Sequence, residues 1–127
     1  MSPPRPASVF SLLAAVAVAM AAPAAANPVH ESAVEVALDL LTNPLKDPDS
    51  ARYRRTFLSE WTAGRFALCG EVNAKNSYGG YVGYRRFYAG DDVSAVEIES
   101  DTQNYFIGRY NTFCSNKVTD VKLPAPR

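Results

Sequence analysis

Cys69 and Cys114 are the only cysteines of a 127-residue chain and stand 45 positions apart. Whether such a pair bonds depends on the compartment the chain reaches, and the N-terminus speaks to that. Met1 to Ser8 is short with one positive charge at Arg5, Val9 to Ala22 is an apolar run, and Ala24-Ala25-Ala26 is a small-residue cleavage site of the A-x-A kind. Residues 1–26 therefore read as a secretory signal peptide, with the mature chain starting at about Asn27 in a periplasmic or secreted location. The apolar run of about 14 residues is rich in Ala and falls short of the roughly 20 needed to span a bilayer. The nearest cysteine to the cleavage site is Cys69, so no lipid anchor is expected there. In an exported chain, two cysteines imply one disulfide. Its long loop would contribute about 4 kcal/mol by constraining the unfolded state. A redox pair would show C-x-x-C spacing instead. Two Cys with the single His30 fall short of a four-ligand zinc site, so no metal or cofactor is expected.

Removing residues 1–26 takes away Arg5 and no acid, leaving 12 basic and 13 acidic residues, a formal net charge of −1 over 101 residues. A near-neutral exported chain lacks the cationic excess that drives phosphate binding by counterion release, which argues against nucleic acid and anionic membrane as partners. The size allows one small domain, assigned to residues 27–117, followed by a tail over residues 118–127 that contains two prolines.

Within that domain Ala33, Val34, Ala37, Leu38 and Leu41 recur at helical spacing, predicting an amphipathic helix from His30 to Leu41. Asp47-Pro48-Asp49 has the composition of a helix start, with Asp47 as N-cap, and predicts a short helix to about Arg54. Thr56 to Trp61 and Arg65 to Val72 read as a hairpin around Thr62-Ala63-Gly64. Tyr81 to Tyr88 and Val93 to Ser100 read as a third and fourth strand separated by Gly90-Asp91-Asp92. A last helix is expected from about Thr102 to Ser115, with Asp101 as its cap and Phe106, Tyr110, Phe113 and Cys114 on one face. The expected fold is α+β: an antiparallel sheet of about four strands with the N-terminal and C-terminal helices packed on one face. Cys69 and Cys114 would then staple a strand to the last helix.

The densest run of unusual choices is Cys69-Gly70-Glu71-Val72-Asn73-Ala74-Lys75-Asn76-Ser77-Tyr78-Gly79-Gly80-Tyr81-Val82-Gly83-Tyr84-Arg85-Arg86-Phe87. Together with Asp47-Pro48-Asp49-Ser50-Ala51-Arg52-Tyr53-Arg54 upstream, it resembles a family of small uncharacterised exported proteins and lipoproteins of bacteria and their prophages. The resemblance covers roughly residues 45–87 and the second Cys. It implies export and a paired Cys, and it assigns no activity to any residue. The chain departs from the lipoprotein members in having no lipid-accepting Cys.

Strand alternation puts Cys69, Glu71, Asn73 and, by extension, Lys75 on one face, with Gly70, Val72 and Ala74 on the other. A carboxylate on the Cys69 face needs a partner, and Arg85 or Arg86 on the next strand is the nearest in sequence logic. Gly79-Gly80 is followed by Tyr81 and not by the Lys-Ser/Thr of a phosphate-binding loop, so these glycines serve backbone conformation. The candidate binding residues are Glu71, Asn73, Lys75, Tyr78, Tyr81 and Arg85. Glu97, Glu99 and Asp101 alternate with apolar or small residues, which predicts a solvated strand face, since their spacing is not that of an EF-hand loop.

Three functions are expected on these grounds. The favoured one is a non-enzymatic envelope protein that binds a protein or glycan partner through the Gly/Tyr-rich loop. The alternative is a small hydrolase or lyase using Glu71 with Arg85 or Arg86, and the third is a purely structural accessory domain.

Overall fold

β2 (Arg65–Asn73) is buried on both faces over Ala67–Gly70, and this decides where the helices go. The computed structural model describes residues 2–5, 15–17, 27–100 and 105–123, so the cleavage site at Ala24–Ala26 and the expected cap at Asp101 lie outside the described residues. The elements run α1 (Pro28–Leu41), β1 (Arg52–Thr62), β2, β3 (Arg85–Ala89), β4 (Val96–Ile98), α2 (Phe106–Cys114) and β5 (Lys117–Asp120). The fold is α+β, with one antiparallel sheet in the order β4-β3-β2-β1-β5.

Leu68 and Val72 of β2 join Leu58, Phe87 and Ala89 in a core closed by Ala37 and Leu41 of α1. Ala67 and Cys69 join Tyr88 in a second core closed by Phe106 and Cys114 of α2, with Phe57 and Trp61 packed against it. Neighbouring residues of a strand point to opposite faces. The two helices therefore sandwich the sheet, and the expectation that both lie on one face is corrected. The reason is visible in Ala67-Leu68-Cys69, a run buried on both sides where a one-sided sheet would alternate with polar residues. The Cys69–Cys114 disulfide ties β2 to α2 across a Cα–Cα distance of 6.0 Å.

Several boundaries differ from the sequence reading. α1 starts at Pro28, because the Asn27 side chain accepts hydrogen bonds from the backbone N–H of Val29 (3.0 Å) and His30 (3.4 Å). The helix expected from Asp47 to Arg54 is one 3-10 turn over Pro48–Ser50, and Asp47 makes no side-chain cap. Ser50 Oγ instead accepts from Lys75 N at 2.8 Å, which pins the turn to the end of β2 and releases the chain into β1 at Arg52. The third strand begins at Arg85 rather than Tyr81, and a 3-10 turn over Val93–Ala95 shortens the fourth. The segment assigned to a tail supplies β5, where Phe57 pairs with Asp120 and Leu58 with Thr119. An edge strand as long as β1 presents unpaired backbone groups that a further strand satisfies.

β1 carries a bulge near its start. Arg54 pairs with Glu71 and Phe57 with Cys69, so Arg55 and Thr56 together stand opposite Gly70. Arg55 takes φ 53° and Gly70 φ 154° at this point.

Candidate functional site

α2 has nine residues, a length of roughly 13 Å, and covers only the end of its sheet face that holds Ala67, Cys69 and Tyr88. Beyond it the same face continues as Arg52 and Arg54 of β1 and Glu71 and Asn73 of β2, because Arg52 pairs with Asn73 and Arg54 with Glu71. Arg86 of β3 pairs with Glu71 and marks the border, its guanidinium 5.7 Å from the Phe106 ring and 5.8 Å from the Tyr110 ring. The result is an open polar shelf beside a short helix.

Glu71 is the shelf's single carboxylate on β2. Arg54 Nε and Nη2 donate to its two oxygens at 3.2 Å each, and Arg55 Nη1 donates at 3.3 Å. These charge-assisted bonds, Arg54's first, hold the carboxyl below its usual range despite a side chain only 19% exposed. The expectation that Arg85 or Arg86 pairs with Glu71 is therefore corrected. Arg86 is taken up by Glu99, and Arg85, opposite Val72, lies on the α1 face, where its Nη1 donates to the Glu99 backbone oxygen at 3.3 Å. The bulge explains the substitution: inserting Arg55 brings two cations from β1 over one acid of β2. With its proton affinity lowered, Glu71 is poorly suited to act as a general acid near neutral pH.

The loop of residues 74–84 rises from the end of this shelf and is tied at several points. Asn76 Oδ1 accepts from Tyr78 N (2.9 Å) and Gly80 N (3.2 Å), while Asn76 N donates to Gly80 O at 2.9 Å. Gly79 sits at φ 81° in the turn so formed, a conformation that a side chain would strain. Lower down, Gly83 N donates to Asn73 Oδ1 at 3.0 Å, Lys75 and Tyr81 form a bridge, and the Tyr81 hydroxyl donates to Ser50 O at 3.0 Å. Two cation–ring stacks then join loop to sheet: Arg52 lies 4.3 Å from the Tyr81 ring centroid and Arg54 lies 3.8 Å from that of Tyr84. Lys75 Nζ stands 5.6 Å from the Tyr81 ring. At the tip Tyr78 is 97% exposed.

Of the six residues singled out from sequence, the structure brings Glu71, Asn73, Lys75 and Tyr81 onto the shelf and its loop, sets Tyr78 at the tip, and sends Arg85 to the other face. Sequence reasoning missed Arg52 and Arg54 as shelf residues, because it read them as helical. The alternation Arg52-Tyr53-Arg54, with Tyr53 packed on the α1 core, is the signal that would have found them.

Glu97 and Glu99 do not form the solvated face expected of them. Arg109 Nε and Nη2 each donate to Glu97 at 2.6 Å, the Tyr88 hydroxyl donates to it at 2.7 Å, and Glu99 pairs with Arg86. Each acid thus answers to a different arginine, and among the described residues no group of three or more His, Cys, Asp or Glu is placed to hold a metal ion. Also among the described residues, no helix is long and apolar enough to cross a membrane. No family model matches the chain, and no curated protein or solved structure matches it.

Proposed function

We propose that the chain is an exported, non-enzymatic envelope or periplasmic protein, one of the small exported proteins its two motifs resemble, and that it binds a protein or glycan partner. The binding surface is the loop of residues 74–84 with the cationic, aromatic shelf beside it. The observation that carries this reading is Tyr78, 97% exposed on a loop whose backbone is held by Asn76 and Asn73. An aromatic ring presented on a fixed backbone loses little conformational entropy on binding, and Tyr and Arg are the residues that supply hot spots. Arg52 and Arg54, stacked on Tyr81 and Tyr84, add oriented cations to the same surface.

The hydrolase or lyase alternative has less support. It needs Glu71 to exchange a proton with help from Arg85 or Arg86, and Glu71 is held ionised by Arg54 while Arg85 stands on the opposite face.

The test compares the mature protein with Tyr78→Ala and Arg52→Ala for capture of partners from periplasmic extract and for binding to a soluble glycan panel. Tyr78→Ala is expected to melt as wild type does and Arg52→Ala, which loses the exposed Arg52–Tyr81 stack, within a few degrees of it, and each to lose at least tenfold in binding. Equal binding by wild type and both variants would reject the surface. A hydrolytic activity abolished by Glu71→Gln at unchanged melting temperature would favour the enzyme.

A further inference from the structure

A cleft on the α1 side of the sheet shares Lys75 and Val82 with the loop of residues 74–84 but is built mainly from other elements, so a ligand there does not depend on the function just proposed. It has a volume of about 470 Å³ and opens between the chain leaving α1 at Pro44–Lys46, the end of β2, the start of β3 and β4. Its lining includes the apolar residues Leu45, Val72, Val82 and Ile98, of which Val72 belongs to the buried core and Val82 is 48% exposed. Three cations also line it: Lys46, Lys75 and Arg85, the last paired with Val72 across the sheet.

The charges of this cleft do not cancel. Glu97 and Glu99 also line it, but the Glu97 carboxylate is held by Arg109 and both Glu99 oxygens by Arg86. Glu99 also feels Arg85, whose guanidinium has the Glu99 backbone oxygen as its hydrogen-bond acceptor. Among the described residues no carboxylate lies within ion-pair distance of Lys46, Lys75 or Arg85. Toward the described residues Arg85 thus keeps donors free beside apolar side chains, in a cleft of the size that holds a small ligand.

We propose that this cleft binds a small amphiphile with a carboxylate head and an apolar chain. The head is received by Arg85, which can grip a carboxylate with two parallel N–H donors, with Lys46 and Lys75 adding charge. The chain lies along Leu45, Val82 and Ile98, where it removes apolar surface from water, over a Val72 that is already buried. A purely ionic ligand leaves those side chains unused, and a neutral lipid leaves the three cations unanswered.

The experiment titrates the full mature protein with sodium decanoate below its micelle concentration, with 1-decanol as the neutral control, by calorimetry and by amide shifts at Val72, Arg85 and Ile98. Saturable one-to-one binding is expected, with decanol at least tenfold weaker. Arg85→Gln is expected to weaken decanoate about tenfold and Lys46→Gln about threefold, while Lys117→Gln, a surface charge outside the cleft, leaves it unchanged. Absence of saturation, equal affinity for decanol, or an Arg85→Gln variant that melts and binds as wild type does would overturn the site. So would adsorption to phosphatidylglycerol vesicles without decanoate binding, which would point to a membrane surface instead.

Discussion

Gly70 is where the sheet has no room for a side chain. A Cβ there would stand 2.9 Å from Thr56 Cγ2 and 3.0 Å from Thr56 Cα, because Arg55 and Thr56 crowd against this one residue of β2. Its φ of 154° adds backbone strain for any other residue. Gly70→Ala is therefore expected to cost about 2–3 kcal/mol, lowering the melting temperature by roughly 10–20 °C in a domain of this size. A melt within a few degrees of wild type would show that β1 shifts freely at the bulge. The same bulge limits how far Glu71 can be read from sequence. Alternation places Glu71 on the Cys69 face, where it is, but the identity of its partner depends on which strand inserts an extra residue. Arg54 and Arg55 are 17 and 16 residues away in sequence, and nothing local marks the insertion.

Among the elements, α2 is tied to the sheet by a cluster that titrates at both ends of the pH scale. Tyr88 is pushed up to about 12, first by burial and then by its hydrogen bond to Glu97, while Arg109 and then Tyr88 hold Glu97 below the usual carboxylate range. A tyrosine whose folded pKa is raised contributes stability that is complete below pH 10 and is lost as pH rises toward 12. A carboxylate whose folded pKa is lowered contributes stability present above about pH 4.5 and lost as pH falls further. Melting temperature against pH should therefore fall on both sides of a plateau, with Tyr88 contributing to an alkaline limb between about pH 10 and 12. Tyr88→Phe should reduce that limb without abolishing it, since burial also raises Tyr53 and Tyr110, and an alkaline limb unchanged in the variant would remove Tyr88 as a source. The elements differ in how far periodicity reveals them. α1 and the β1–β2 hairpin obey local patterns long enough to be read. β4 spans Val96–Ile98 and β5 Lys117–Asp120, too short to show a period, and β5 forms because β1 offers an edge from far away in sequence. The placement of α2 opposite α1 results from Ala67, Leu68 and Cys69 being buried together, which is a statement about two faces and not about one strand.

In the whole molecule, the disulfide and the tied loop do different work. Cys69–Cys114 joins the sheet to its shorter helix. Cys69→Ser is expected to cost about 2–5 kcal/mol and to loosen α2 first, with earlier amide exchange in residues 106–114 than in α1. Equal stability with and without the bond would contradict this. Export itself is tested by intact mass, where a mature chain starting at Asn27 is expected and one retaining Met1 would argue against a cleaved signal. The loop of residues 74–84 owes its shape to Asn76, Asn73 and the Arg52–Tyr81 stack rather than to the disulfide, and its readiness for a partner depends on being rigid before the partner arrives. Backbone ¹⁵N relaxation of the free mature protein measures this directly. Order parameters near 0.85 from Asn76 to Gly83, about those of rigid backbone, are predicted, and values below about 0.6 across the same residues would contradict a preformed recognition surface.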